Sequence, residues 1–230
     1  MICNYYIRKI LNDSQISEVK KIIDLANQND SWEDGLNSGG GFSSVKKNTE
    51  LYDFELSKKI NSMIMKSLDC DRKFISFTCA KETGTNIISR TQSGNYYNPH
   101  MDNWNNGDYS TTVFLNSSDE YDGGELCLYF GNDGEKKVKL DAGWGITYST
   151  GTLHRVNEVI SGTRYASVFW TKSLVQNSEI RSIIYQIDTA KEIIEQCASP
   201  VHMTTCDSAF KDPVFILSNV KNELLRHYNK

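Results

Sequence analysis

Residues 111–130, "TTVFLNSSDEYDGGELCLYF", contain two short runs that are rich in β-branched, aromatic and other apolar residues. Polar residues separate the runs, and Gly123 and Gly124 stand just before the second one. Residues of this kind, bounded by turn-forming residues, favour β-strands, and a glycine pair favours a turn or a bulge. The stretch therefore predicts two short strands joined by a turn.

The same pattern extends on both sides of this stretch, over residues 73–171. Many short strands at close spacing are typical of an antiparallel sandwich or barrel. The further runs are "FISFTCA", "NIISRT", "KVKL", "GITYS", "HRVNEVI" and "RYASVFWT".

Helical periodicity flanks the β-rich region. Apolar residues recur at helical spacing over residues 14–30, with Ser14 as a plausible N-cap, and again over residues 50–68, 172–196 and 208–229. Between the first two helices, residues 31–45 are rich in Gly and Ser and predict a loop, which is long enough to act as a lid. The predicted fold class is α+β with a mainly β core, in one domain over residues 1–230. It has a helical N-terminal part at 1–72, a β core at 73–171 and a helical C-terminal part at 172–230.

Composition limits the class of partner and the compartment. The 230 residues carry a net charge of −4, which argues against a general nucleic-acid surface or an anionic-membrane surface. There is no apolar run of transmembrane length, and the first residues do not resemble a signal peptide. The six cysteines form no CxxC pair, so we expect buried, reduced thiols in a cytoplasmic protein.

The stretch "YYNPHMDNWNN", residues 96–106, holds the first candidate functional residues. In an extended strand, side chains two residues apart point to the same face, so His100 and Asp102 would lie side by side. An imidazole next to a carboxylate is two-thirds of a metal site, although this spacing often arises by chance. The next histidine is His154, in "STGTLHRVNEV", and Arg164 follows in "SGTRYASVFW".

Two histidines and one carboxylate on a rigid β scaffold form the facial triad of non-heme Fe(II) oxygenases. Three protein ligands on one face leave positions for a bidentate cosubstrate and O₂. A single carboxylate leaves positive charge on the iron, and Arg164 adds more, which suits a doubly ionised 2-oxo dicarboxylate. Taken singly, His154 and Arg164 are also compatible with ordinary structural roles.

The chain resembles the PKHD-type hydroxylases, which are iron- and 2-oxoglutarate-dependent dioxygenases related to prolyl 4-hydroxylases. The resemblance rests on "SGNYYNPHMDN", "YDGGEL" and "LHRVNEVISGTR", and it extends to "WEDGLNSGGGFSSVKKNTEL" near the start and "NVKNELLRHY" near the end. It implies a double-stranded β-helix (a jelly roll) with iron at one end of the barrel.

The resemblance also implies roles for particular residues. His100, Asp102 and His154 match the iron ligands, and Arg164 matches the residue that pairs with the distal carboxylate of 2-oxoglutarate. Tyr97 and Trp170 match aromatic residues of the active site, although packing explains Trp170 equally well and Tyr97 somewhat better. The implied cofactors are Fe(II), 2-oxoglutarate and O₂, with ascorbate as a candidate reductant.

Two positions depart from the pattern of the prolyl 4-hydroxylase relatives. Thr91 stands where these relatives usually have a tyrosine that helps to bind the cosubstrate, and Ala166 stands where many have a serine. Both departures remove a polar contact that the cosubstrate would otherwise receive.

Three functions remain open at this point. The first is hydroxylation of a residue in a peptide or protein, with proline preferred, and the second is hydroxylation of a free amino acid or another small metabolite. The third is a non-catalytic sensor that binds metal or 2-oxoglutarate. A halogenase is disfavoured, because that chemistry needs a small residue in place of Asp102.

Overall fold

The computed structural model describes residues 4–38, 46–84, 86–197 and 212–229. In this part of the chain, fourteen strands form two antiparallel sheets. The strands are β1 (Tyr5–Lys9), β2 (Trp32–Asp34), β3 (Lys46–Lys47), β4 (Thr49–Leu51), β5 (Ala80–Thr83), β6 (Ile87–Gln92), β7 (Tyr96–His100), β8 (Tyr109–Phe114), β9 (Tyr121–Gly123), β10 (Leu126–Tyr129), β11 (Glu135–Val138), β12 (Trp144–Ser149), β13 (Leu153–Val156) and β14 (Val159–Ser173). The antiparallel β core that the sequence predicts is confirmed.

The larger sheet has nine of these strands and the smaller has five. The larger runs in the order β1-β12-β8-β14-β6-β4-β2, with β5 and β9 also paired to β14, and the smaller runs β11-β10-β13-β7-β3. Apolar side chains of both sheets meet in one buried cluster, which includes Phe114 and Ile146 from the larger sheet and Leu126 and Leu128 from the smaller. The two sheets therefore face each other.

Helices flank the sheets, as the sequence predicts. They are α1 (Asp13–Gln28), α2 (Phe54–Asp69), α3 (Arg72–Thr78), α4 (Ser178–Cys197) and α5 (Pro213–Tyr228). The apolar faces of α1 and α2 share a cluster with residues of the larger sheet such as Val113 and Phe169. These two helices thus bury the outer face of that sheet, and the inner face is left for the interface with the smaller sheet.

Several local predictions are wrong. Asn12, and not Ser14, caps α1, through a capping box with Gln15. The run "FISFTCA" belongs largely to helix α3, because Asp71 accepts hydrogen bonds from the backbone N–H groups of Lys73 and Phe74 and so begins a helix there.

The segment 1–72 is not purely helical, because β1 to β4 lie within it and pair with strands of both sheets. Helix α2 begins only at Phe54, which is 69% exposed and does not lie on the buried face. At the other end of the core, β14 extends to Ser173, so α4 begins later than predicted. Of the predicted loop at 31–45, Trp32–Asp34 form a strand, Gly35–Ser38 form a 3-10 turn, and residues 39–45 of the candidate lid lie outside the described residues.

The cysteines divide into two groups. Cys79 and Cys127 are free and buried, as predicted, whereas Cys70 and Cys197 are free and exposed, which corrects the prediction for that pair. Cys3 and Cys206 lie outside the described residues. Among the described helices, none is long and apolar enough to cross a membrane.

Candidate active site

His100 and His154 lie directly opposite each other on the adjacent strands β7 and β13. Each ring is oriented by a backbone carbonyl two residues earlier: His100 Nδ1 lies 2.8 Å from the Asn98 oxygen, and His154 Nδ1 lies 2.9 Å from the Thr152 oxygen. Because a carbonyl only accepts, each Nδ1 carries the proton, so in the neutral ring it is Nε2 that has the lone pair. Both imidazoles are therefore prepared to bind a metal through Nε2.

Asp102 completes the cluster. It does not lie on a strand with His100, as the sequence reasoning assumed, because β7 ends at His100 and Asp102 belongs to the irregular segment that follows. Its carboxylate oxygens lie 3.9 Å from His100 Nε2 and 3.8 Å from His154 Nε2. The three donor atoms lie within 4.8 Å of one another, so the cluster could hold one metal ion.

Ser110, on β8 of the larger sheet, fixes the position of this carboxylate. Its hydroxyl donates to Asp102 Oδ2 at 2.5 Å. The cluster therefore combines two histidines from the smaller sheet with a carboxylate that is supported from the larger one. Sequence reasoning missed Ser110, because no local motif connects it to Asp102.

The protonation state of His100 suits a metal. Burial, with a further contribution from the neighbouring His154, lowers the pKa of His100 to about 4. His100 is therefore neutral near pH 7, and a metal does not have to displace a proton from it. A pair of imidazoles with one carboxylate is also the donor set that non-heme Fe(II) prefers.

Arg164 is a buried cation on the inner side of β14, where it pairs in register with Thr91 of β6. Its guanidinium lies 5.2 Å from the centroid of the Phe114 ring, and burial lowers its pKa while Tyr121 and Tyr148 oppose that shift. Arginine nevertheless remains charged. Its Nε is buried and has no hydrogen-bond partner among the described residues. A buried guanidinium with an unsatisfied N–H fits the carboxylate of a bound anion.

Gly124 leaves room for the Arg164 side chain. A Cβ at Gly124 would lie 3.2 Å from Arg164 Cδ and 2.9 Å from a methyl group of Val159, and the backbone has a φ of +64°. The turn that the glycine pair was predicted to form thus also brings the backbone at Gly124 close to the Arg164 side chain. A side chain at this position would push on the stem of the guanidinium.

One cavity of about 270 Å³ connects these groups, and it lies between the two sheets. His100, Asp102, His154 and Arg164 all line it. The donor cluster and the buried cation therefore face the same space. One small molecule could reach both a metal in the cluster and the Arg164 guanidinium.

The two aromatic residues singled out from the sequence also line the cavity. The Tyr97 ring is stacked on His100, with centroids 3.7 Å apart, and burial raises the pKa of its phenol to about 12. Trp170 alternates with Val168 and Arg164 along β14, and its indole N–H is buried without a partner among the described residues. By contrast, Trp104 is 83% exposed.

The positions that depart from the prolyl 4-hydroxylase pattern are both buried. Thr91 lines the cavity, while Ala166 is absent from its wall. Tyr148, which the sequence reasoning did not single out, also lines the cavity, and its fully buried phenol is hydrogen-bonded to Thr112. Tyr148 thus brings a phenol to the neighbourhood of Arg164 from a different strand.

Several other basic and aromatic residues are engaged away from this cavity. Arg181 binds Asp108 and the Tyr109 hydroxyl, Lys172 pairs with Glu82 on the surface, and Arg90 stacks on the buried Trp32. His227 is exposed on α5, and His202 lies outside the described residues.

Comparison with known proteins agrees with this site. Residues 87–172 match the model of the 2OG-Fe(II) oxygenase superfamily. A PKHD-type hydroxylase of Prochlorococcus marinus (strain MIT 9215) is 37% identical over 191 residues, which cover 80% of this chain and 85% of the relative. The chain therefore belongs to the PKHD-type hydroxylases of this superfamily. It is a 2-oxoglutarate-dependent dioxygenase, whose cofactors are Fe(II), 2-oxoglutarate and O₂.

Solved structures show the same fold at low sequence identity. A prolyl hydroxylase from Trichoplax adhaerens, in complex with a peptide fragment of the hypoxia inducible factor oxygen degradation domain, superposes with a TM-score of 0.59 at 17% identity, covering 79% of this chain and 86% of that one. A prolyl-4-hydroxylase from Pseudomonas putida gives 0.56 at 13% identity, covering 74% and 92%. At these identities the likeness concerns the fold alone.

Proposed function

We propose that this protein hydroxylates an aliphatic C–H bond of a prolyl residue in a peptide or protein. In this proposal His100, Asp102 and His154 hold Fe(II), and Arg164 pairs with the distal carboxylate of 2-oxoglutarate. The two facing sheets form the double-stranded β-helix that surrounds them. The observation that carries the proposal is the shared cavity, in which the donor cluster and the unsatisfied Arg164 face one space.

The protein's own residues bind, orient and exclude water. When bound, Fe(II) and 2-oxoglutarate supply oxidative decarboxylation with O₂, which gives succinate and CO₂ and places a hydroxyl group on the substrate carbon. The carbonyls of Asn98 and Thr152 hold the two imidazoles as Nδ1–H tautomers, and Ser110 holds the carboxylate. Burial of Arg164 between the sheets strengthens its attraction for a carboxylate, since little water competes there.

The prolyl substrate is supported by the lining of the cavity. Tyr97 and Trp170 both line the cavity, and aromatic side chains suit an apolar pyrrolidine ring. An extended proline-containing segment is also partly preorganised, so its binding costs little conformational entropy. The prolyl hydroxylase from Trichoplax adhaerens, whose fold is similar, is itself in complex with a peptide fragment, and this supports a peptide as the substrate.

Hydroxylation of a free amino acid is the alternative. Such a substrate needs a cation for its α-carboxylate, and Arg90, Lys172 and Arg181 are three basic residues that could approach the site in the folded chain. Each of the three is engaged away from the cavity. These three residues therefore do not supply that cation, and among the described residues Lys46 is the basic residue that lines the cavity besides Arg164.

The test is succinate production by the iron-loaded protein with a library of proline peptides, beside free L-proline and other amino acids. Mass spectrometry of the products should detect the addition of one oxygen atom. We expect that, for at least one class of peptide, succinate production is coupled to the addition of oxygen to the peptide. Robust turnover of a free amino acid, with none on any peptide, would reverse the ranking of the two substrates.

A further inference from the structure

Lys46 and Glu50 form an ion pair in the wall of the cavity. Lys46 belongs to β3 of the smaller sheet and Glu50 to β4 of the larger one, so the pair crosses from one sheet to the other. Their side chains are 7% and 10% exposed. Every other Lys or Arg ion pair of the described residues has at least one side chain that is more exposed than either of these.

A buried ion pair is a poor source of stability. The cost of removing both charges from water offsets most of their attraction, and apolar replacements of similar volume are often neutral or stabilising. Joining the two sheets therefore does not require charged residues at this point. A cavity wall that offers one strong donor and one strong acceptor is, however, suited to recognising a polar ligand.

The position of the pair indicates which ligand it faces. Lys46 Nζ lies 5.5 Å from the centroid of the Tyr97 ring, and Tyr97 is stacked on His100. One aromatic ring thus separates the pair from a proposed iron ligand. The neighbours of Arg164 are different residues, Phe114 and Tyr121, so the pair does not belong to the proposed binding site for the distal carboxylate.

We propose that Lys46 and Glu50 bind the main-chain polar groups of the residue that is hydroxylated, an inference that rests on the proposed function of the cavity. Lys46 donates to the carbonyl or carboxylate oxygen of that residue, and Glu50 accepts from an N–H a few atoms away. In a peptide this N–H belongs to the next residue, and in a free amino acid it belongs to the protonated amine. The substrate thereby offers each charge a new partner when the direct contact between them opens.

The variants that test this assignment are Lys46→Met, Glu50→Gln and the double variant that combines them. The double variant removes both charges with little change in volume, so it is expected to fold even if a single variant does not. Lys47→Met and Glu33→Gln are matched controls, because these residues are the exposed neighbours of Lys46 along β3 and of Glu50 across the β2–β4 pair. The measurements are the melting temperature, Fe(II) and 2-oxoglutarate binding, and KM and kcat for the peptide and free amino acid substrates.

We expect the double variant to bind Fe(II) and 2-oxoglutarate within twofold of the wild type, while its KM for the substrate rises at least tenfold. Wild-type KM should also rise when the amide after the target residue is N-methylated, and this effect should be smaller in Glu50→Gln. If KM of the double variant rises for peptides alone, the ligand of the pair is the peptide main chain. If it rises for free amino acids alone, the ligand is the amino acid zwitterion.

A folded double variant with wild-type KM for every substrate would overturn the assignment and leave the pair as a structural link between the sheets. Failure of the proposed function is recognised separately, because the wild-type protein itself would then turn over none of the proline peptides.

Discussion

The Ser110 hydroxyl donates a 2.5 Å hydrogen bond to Asp102 Oδ2, and this contact joins the larger sheet to the donor cluster on the smaller one. Asp102 lies in the irregular segment after β7, so no strand pairing fixes its side chain. The hydroxyl supplies that restraint. Groups that orient metal ligands in this way typically contribute one to two orders of magnitude to metal affinity.

Removing the Ser110 hydroxyl should therefore weaken metal binding without disturbing the fold. We expect Ser110→Ala to raise the Kd for Fe(II) by about 10- to 100-fold, with a small change in melting temperature. An anaerobic Fe(II) titration measures the effect. Ser118→Ala is the control, because Ser118 makes a similar hydroxyl–carboxylate bond to Asp141 outside the cavity wall. Equal Fe(II) affinity in both variants would show that Ser110 does not position the ligand.

Arg164 should determine the affinity for 2-oxoglutarate. Loss of one partner from a largely desolvated charge pair costs about 3–5 kcal/mol, so Arg164→Ala should weaken binding by roughly two to three orders of magnitude. Arg164→Lys should lose less, because the charge survives while the two-pronged geometry does not. Calorimetry on the metal-loaded protein measures both, with Arg155→Ala, which breaks a partly exposed pair with Glu135, as the control. Unchanged affinity in Arg164→Ala would assign the role to another cation.

Gly124 should be sensitive to a side chain for two separable reasons. Gly124→Ala places a methyl group against Arg164 and also strains a backbone with positive φ, whereas Gly131→Ala strains a similar backbone with no atom within 4 Å of the new methyl group. Each variant should lose about 1 kcal/mol of unfolding free energy, and Gly124→Ala should lose more through its contacts. Only Gly124→Ala should also weaken 2-oxoglutarate binding. Denaturant melts and calorimetry separate the two effects, and equal cosubstrate affinity in both variants would contradict the packing explanation.

The cysteines should differ in reactivity. Burial raises the pKa of the Cys79 thiol to about 11, so it stays protonated and shielded near neutral pH, whereas Cys70 and Cys197 are exposed. Iodoacetamide at pH 8 should label Cys70 and Cys197 within the native protein and reach Cys79 only after unfolding, as peptide mapping would show. Because the unfolded chain ionises this thiol at lower pH, stability should also fall as the pH rises from about 9 toward 11. Rapid native labelling of Cys79 would contradict its burial.

The sequence predicted the parts of the site that a linear pattern can encode. His100, Asp102, His154 and Arg164 follow one another at a recognisable spacing within the β-rich region, and the structure brings all four to one cavity. The antiparallel core was predictable from the short apolar runs for the same reason.

What escaped prediction depends mainly on how the chain turns and which strands pair, rather than on a pattern of residue types. Glu50 was assigned to the start of a helix, but it lies on a three-residue strand that exists only because β2 and β6 pair with it. Lys46 meets Glu50 across two sheets, and Ser110 meets Asp102 after a turn whose direction no local residue specifies. "FISFTCA" has the composition of a strand, yet the cap that Asp71 provides makes it a helix.

The most direct test of the central claim is an anaerobic Fe(II) titration of the wild-type protein and of His154→Ala, with His227→Ala as a control on the exposed face of α5. The account predicts one Fe(II) per chain in the wild type and in His227→Ala, and loss of stoichiometric binding in a His154→Ala protein whose circular dichroism is unchanged. Retention of one tightly bound Fe(II) per chain by His154→Ala would contradict the assignment of His100, Asp102 and His154 as the iron site.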